Sequence, residues 1–407
     1  MSETSKLKRS VTLPFLILYG LGTMVGGGFY ALVGKVAGEA GLFAPIAMAL
    51  SGMFALLTGF SYAELVSRFP VSAGEVRYVH KGFNRVFVAK VTGALVILTG
   101  IVSAAALAVA TIGFLQDFVQ VPEKLAIALL VLAMGCIASW GIGQSVAVVT
   151  AITVIEVGAL IYAASVAEGE LGELAQNWRQ FIPPLDGDIW MGIFSAAFLA
   201  FYAFIGFEDM VNIAAEVKDA RRAVPIAIIV SVVATILLYI VVSLVALLSV
   251  PPEQLAASNT PVAEMVKGHS WYSNTGLGIV SLLAGLNGAL VQIIMGSRVA
   301  YGMAKRDQAP HWLAAVHPKT QTPIRATATI MVAVLILALF FPLTTLVKVT
   351  SAIILVIFGT VNLGLWRIKR RNPDLDGEGP RLPNWLPLVG MVGCVLVLSF
   401  QIWLVVK

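Results

Sequence analysis

GTMVGGGFY, residues 22–30, lies inside the first long apolar stretch of the chain, and its reading decides the fold. Gly22, Gly26, Gly27 and Gly28 interrupt a run that is otherwise composed as helix, each at a cost of about 1 kcal/mol relative to alanine in a helix interior. Backbone groups without hydrogen-bond partners are tolerated at membrane depth only where protein buries them or a wet cavity receives them. A helix unwound near Gly26 to Gly28 presents free N–H groups, and the positive end of the half-helix that follows, to such a cavity. Backbone alone would hold a carboxylate there. The competing reading is that Gly22 and Gly26, as a GxxxG pair, let two helices pack closely.

The surrounding sequence establishes the membrane setting. Of 407 residues, 58% are hydrophobic and only 12% charged, and the mean hydropathy is +0.90, far above what a soluble surface requires. Apolar runs of about 20 residues, the length that crosses a hydrocarbon core as helix, recur from end to end. About eleven are predicted: 12–37, 42–66, 87–115, 123–141, 144–167, 189–214, 224–250, 272–303, 324–341, 343–367 and 384–406. Phe341-Pro342 reads as a tight external turn between the ninth and tenth. The runs are too long, and alternate too little, for a β-barrel.

Charge then sets the topology. With the N-terminus inside, Lys6, Lys8, Arg9, Arg68, Arg77, Lys81, Arg85, Lys90, Lys218, Arg221 and Arg222 all fall on the inner side. So do Lys305, Arg306, Lys319, Arg325, Arg367, Lys369, Arg370, Arg371 and Arg381, which makes about 20 of the 27 basic residues. The outer loop at about 168–188 is acidic, with Glu168, Glu170, Glu173, Asp186 and Asp188 against Arg179. Cytoplasmic retention of Lys and Arg produces this asymmetry. The pI of about 9.2 therefore reflects topology and not nucleic-acid binding. The sequence predicts a multi-pass protein of the cell membrane, in contact with lipid, with a cytoplasmic N-terminus and the first apolar run retained. Cys136 and Cys394 have no metal or disulfide spacing, and no HExxH or nucleophile motif occurs. Neither a metal, a cofactor nor an enzymatic activity is expected.

The sixth segment repeats the feature of the first. In FYAFIGFEDMVNIAAE, residues 201–216, Gly206 sits in mid-span and is followed by Glu208 and Asp209 before the crossing is complete. Interruptions in segments one and six, five helices apart, are what two inverted five-helix repeats produce, with the ligand between the breaks. Four stretches carry a more specific likeness: GTMVGGGFYALVG (22–34), YAELVSRFPVSAGEVRYV (62–79), 201–228, and GSRVAYGMAKRDQAPHWLAAVHPKTQTP (296–323). In this order they resemble the amino acid, polyamine and organocation permeases over nearly the whole chain. The resemblance implies an all-α membrane protein with the five-plus-five inverted repeat of the LeuT-like fold and discontinuous helices one and six. It forms one transporter domain, with repeat one at about 12–167, repeat two at about 189–367 and an extra helix at about 384–406. Many relatives have twelve helices, whereas this sequence reads as eleven.

The same resemblance implies alternating-access transport of an amino acid or related amine. The backbone of Gly26, Gly27 and Gly28 would take the carboxylate, and the carbonyls of Thr23, Met24, Tyr202, Ala203 and Ile205 the ammonium. Carbonyl dipoles suit a cation and N–H groups an anion, so a zwitterion fits two opposed half-helix ends. Tyr202 falls where relatives place an aromatic gate. Helices three and eight, through TGIVSAAALA (99–108) and GLNGALVQ (285–292), would complete the side-chain pocket.

Three carboxylates fall within spans. An ionised acid at a helix centre costs at least about 2.5–3.5 kcal/mol, so each needs a partner, a proton or water. Glu64 is predicted to pair with Arg68. Glu156 stands alone in VTAITVIEVGALIYAA (149–164), where several relatives have a lysine. It is the first candidate for a coupling proton, the alternative being a hydrogen bond to a neighbouring helix. Glu208 is a second coupling or gating candidate. Sodium coupling is disfavoured, because LAGLNGALVQIIMG (283–296) has neither Ser nor Thr. The leading expectation is a proton-coupled or exchanging amino acid transporter. The alternative is a polyamine or cationic amino acid exchanger in which Glu156 or Glu208 is a fixed counter-charge. Inner-face residues Arg77, Lys218, Arg221, Arg222, Arg298, Lys305 and Arg306 are expected to set topology or to form a gate with Glu75, Glu216, Asp219 and Asp307.

Overall fold

A computed structural model describes residues 11–406 apart from 72–73, 117, 141, 167–177, 215–216, 268–270, 318–319, 321 and 372–379. Lys6, Lys8, Arg9, Glu168, Glu170, Glu173, Glu216 and Lys319, which entered the topology and gate readings, lie outside the described residues. The described chain is nearly all helix, and its only β-type pairing is an isolated bridge between Val11 and Val217.

Helices occupy each predicted segment. The first is divided into α1 (Leu13–Val25) and α2 (Gly27–Ala40); α3 (Ala44–Arg68), α4 (Gly74–Phe83), α5 (Val86–Gln116), α6 (Glu123–Trp140) and α7 (Ile142–Val166) follow. The second half contains α8 (Gly187–Phe201), the short α9 (Asp209–Asn212) and α10 (Ala220–Ser249). After two short helices, α11 (Pro252–Ala257) and α12 (Pro261–Glu264), come α13 (Trp271–Ala304), α14 (Ile324–Phe340), α15 (Leu343–Arg371) and α16 (Leu386–Val406). Among the described residues, eight helical stretches are long and apolar enough to cross a membrane, and Leu13–Val25 and Ile324–Phe340 are shorter apolar helices.

Local chemistry accounts for the boundaries. Asp186 caps α8, its carboxylate accepting from the N–H groups of Asp188 at 2.9 Å and Ile189 at 3.2 Å, which satisfies donors that the first turn leaves free. Phe341 is extended at φ −122° and ψ 137°, because the ring of Pro342 excludes the helical conformation from the residue before it. That residue separates α14 from α15.

In the interior, α3 packs along α10 and α5 along α13, and α15 lies against α4, α5 and α16. The broken pair α1 and α2 is held between these layers, α1 on α7 and α10, α2 on α8 and α13. Leu129, Ile161, Leu237, Val332, Ile336 and Leu396 are exposed in mid-helix, an apolar outer belt that suits lipid and not water.

Candidate functional site

Both interruptions are present and they face one another. At the first, α1 ends at Val25, Gly26 is extended at φ −57° and ψ −165°, and α2 starts at Gly27. At the second, α8 gives way to a 3₁₀ turn over Tyr202–Phe204, Ile205 is extended, and α9 resumes at Asp209. Gly206 has φ 131°, a conformation in which a Cβ is strongly disfavoured. A Cβ there would also lie 2.7 Å from the Thr23 carbonyl oxygen. The second break is thus pressed against the end of α1.

Hydroxyl groups fasten the two breaks together. Tyr239, from the middle of α10, donates towards the Met24 carbonyl at 2.7 Å and the Ala203 carbonyl at 3.1 Å, one on each break. Its ring stacks on Phe29 with centroids 3.9 Å apart. The Thr23 hydroxyl lies 2.9 Å from the Gly20 carbonyl and 3.0 Å from that of Gly206. Glu208 turns back on its own break, its Oε2 accepting from the Gly206 N–H at 2.9 Å.

The glycines divide between the two readings of the first segment. Gly22 is a packing residue, because a Cβ there would meet the Thr153 hydroxyl of α7 at 1.9 Å. Gly27 lets α2 touch α13 backbone to backbone, with a Cβ placed 2.5 Å from the Gly285 Cα. Gly26 is the break itself.

Between the breaks lies a cavity of about 20 Å³, enough for roughly one water. Thr23, Met24, Gly26, Gly27, Gly28, Tyr202 and Ile205 line it, and α5 and α13 complete it with Ser103, Leu107, Gly288, Val291 and Gln292. Ala203 stands outside the lining, its carbonyl engaged by Tyr239. The Phe29 N–H in the first turn of α2 donates to the Gly26 carbonyl at 3.2 Å, and the positive end of the α2 dipole lies at this lining. The Tyr202 ring lies against Gly28, and its hydroxyl is 2.9 Å from that of Ser103.

Among the described residues, no carboxylate lines this cavity. Glu156 is fully buried behind the first break: Oε1 accepts from Asn287 Nδ2 at 3.3 Å, while Oε2 and the Asn287 Oδ1 have no partner. The Tyr30 hydroxyl donates to the Glu156 main-chain carbonyl at 2.7 Å. Asp209 accepts from Gln292 Nε2 at 3.4 Å. Glu64 pairs with Arg68 as predicted, and also with Lys369 Nζ at 2.9 Å and the Leu382 N–H at 3.2 Å. That cluster joins α3 to α15 and the segment after it.

The ion pairs expected of an inner-face gate differ from those found. Asp307 pairs with His311 at 3.0 Å, Lys305 lies over the Tyr301 ring, and the pairs anticipated for Glu75 and Asp219 are not among the ion pairs of the described residues. Glu75, on the short amphipathic α4, is buried instead, which pushes its carboxyl up to about 8, with Asp209 contributing in the same direction. Two participants escaped residue-level sequence reading. Tyr239 was signalled only by being the one tyrosine of an apolar helix, and Lys369 by nothing beyond its charge.

An uncharacterized transporter of Mycobacterium tuberculosis is 29% identical over 401 residues, covering 98% of this chain and 87% of its own. A branched-chain amino acid permease of Bacillus subtilis is 27% identical over 441 residues, covering 100% and 92%. A mitochondrial cationic amino acid transporter of Arabidopsis thaliana is 29% identical over 392 residues, covering 88% and 62%. Residues 12–407 match the amino acid permease family. A multi-pass helical membrane protein with facing helix breaks at Gly26 and at Ile205–Gly206, the chain belongs to that family.

Proposed function

We propose that the chain is a secondary amino acid transporter that works by alternating access, with its cargo held between the two helix breaks. One observation carries this reading: two interrupted helices from distant parts of the sequence line one small cavity with the residues of their breaks. The first turn of α2 receives the carboxylate, and the carbonyls of Thr23, Met24, Tyr202 and Ile205 are the candidates for the ammonium. Tyr202, hydrogen-bonded to Ser103, closes one side. The cavity as it stands is too small for any amino acid, which suits a collapsed state that opens for cargo. Residues 12–167 and 189–367 act as the two repeats that rock against each other, with the end carrying Arg68 and Lys369 on the cytoplasmic side by the positive-inside rule.

Coupling is assigned to a proton on Glu156. Its Oε2 and the Asn287 Oδ1 are both unpartnered, and a single proton on the acid supplies the missing donor for this acid–amide pair. Glu208 acts as the cap of the second break, so that gating through it follows from how that break moves. The alternative with fixed acidic counter-charges has less support, because neither Glu156 nor Glu208 borders the cavity. Purified protein in proteoliposomes tests the reading. Labelled amino acids are expected to accumulate in the lumen, whereas binding without flux refutes transport.

A further inference from the structure

We propose that the site selects amino acids with a compact, uncharged side chain, received between α5 and α13, and that Gly288 sets its size limit. The inference rests on the transporter reading and adds the cargo class, which the relatives' names leave open between branched-chain and cationic amino acids.

The argument begins with charge. With the carboxylate at the α2 terminus and the ammonium at the carbonyls, the wall left for the side chain is formed by Ser103, Leu107, Gly288, Val291 and Gln292. Among the described residues it contains no acid and no base. Ser103 is engaged with Tyr202, and Gln292 donates away from the cargo, to Asp209. A lysine- or arginine-type side chain here would be a buried charge without a partner, disfavoured by more than about a hundredfold. An acidic side chain meets the same obstacle. What remains is one neutral acceptor, the Gln292 Oε1, which has no partner among the described residues, beside apolar surface from Leu107 and Val291.

Size follows from the helix contact. The backbone approach of Gly27 to Gly285 pins α2 against α13, so the cavity cannot widen there without parting the helices. The free volume lies one turn further along α13. A Cβ at Gly288 would sit 2.9 Å from Leu107 Cδ1, the mobile end of a side chain. That position can therefore accept a methyl group by displacing Leu107 into the cargo space, whereas Gly27 would meet main chain. Gly288 is the specificity-determining position that can be changed without dismantling the fold.

Competition for uptake of labelled alanine in proteoliposomes tests the class on the parent protein. Alanine, serine and valine are expected to compete at concentrations at least about tenfold below those of arginine, lysine, aspartate, phenylalanine or tryptophan. In Gly288→Ala, competition by valine should weaken about tenfold or more relative to alanine, since one methyl group in an apolar pocket has that effect. Leu107→Val in the same chain should restore it. Arginine, lysine or an aromatic competing as well as alanine, with alanine uptake intact, overturns the inference and leaves the transporter reading standing. Unchanged selectivity in a folded Gly288→Ala protein removes Gly288 from the role. Absence of flux with every amino acid overturns both.

Discussion

Replacing Glu156 by glutamine separates a proton carrier from a structural hydrogen bond. The side chain is fully buried, with one amide donor at 3.3 Å on Oε1 and none on Oε2. An ionised carboxylate in mid-span costs at least about 2.5–3.5 kcal/mol, and one hydrogen bond to a charged group returns about 1.5–3 kcal/mol. The second oxygen would remain bare, so the balance favours a proton on the acid in this conformation. Glu156→Gln keeps shape and neutrality and can retain the contact with Asn287. Its effect on stability should then stay within about 1 kcal/mol, against about 3–5 kcal/mol if it removed the charge from a buried ion pair. Transport should respond far more. A one-unit pH gradient is worth about 1.4 kcal/mol per proton, or tenfold accumulation of cargo coupled to it. Proteoliposomes with an acidic exterior should show parent protein concentrating labelled cargo up to about tenfold, and the variant only equilibrating it while still exchanging. A variant that accumulates like the parent refutes the role of Glu156. A variant that loses about 3–5 kcal/mol and all binding shows that the residue is instead part of the framework.

Three further outcomes follow from other contacts. Tyr239→Phe deletes the hydroxyl shared by the Met24 and Ala203 carbonyls; it should cost about 1–3 kcal/mol in thermal unfolding and weaken cargo binding, and an unchanged protein would mean the breaks do not depend on this clasp. Lys369→Met leaves Glu64 with Arg68 and the Leu382 N–H; a loss of about 3 kcal/mol is expected, which adding Glu64→Gln should deepen because Arg68 then stays buried without its carboxylate, and no further loss argues against electrostatic coupling. Glu75 has its carboxyl raised from 4.5 to about 8 by burial. The fold therefore holds a proton that the unfolded chain releases, and stability should fall as pH rises through that window. Glu75→Gln should flatten this slope in melting curves taken between about pH 5 and pH 8.5, and an equal slope in both proteins removes Glu75 as its source.

The crossings were legible because hydrophobic length and helix cost are local properties. A run of apolar residues marks a span wherever it packs, and glycines at Gly26 to Gly28 or Gly206 loosen a helix whatever stands beside them. Phe341-Pro342 ended a helix for the same reason: one ring constrains its neighbour. The site was legible as a pair of places. Seven of the eight backbone positions named for the cargo line one cavity, since both breaks lie at mid-span and the spans share a bilayer. Which of the glycines pack and which unwind was not legible, because Gly22 and Gly26 differ only in what faces them, Thr153 in one case and the cavity in the other.

The tertiary structure alone decided the carboxylates. In sequence, Glu64 has Arg68 one turn away, while Glu156 and Glu208 stand in apolar segments without a basic residue. In the fold, Glu64 meets Lys369, 305 residues away, Glu156 meets Asn287 of α13, and Glu208 caps its own break. Hydropathy reports that a charge is buried, but its partner is set by which helices come into contact. The same holds for the clasp of Tyr239 and for the uncharged wall of the cavity. Each depends on distances between residues far apart in the chain, which only packing fixes.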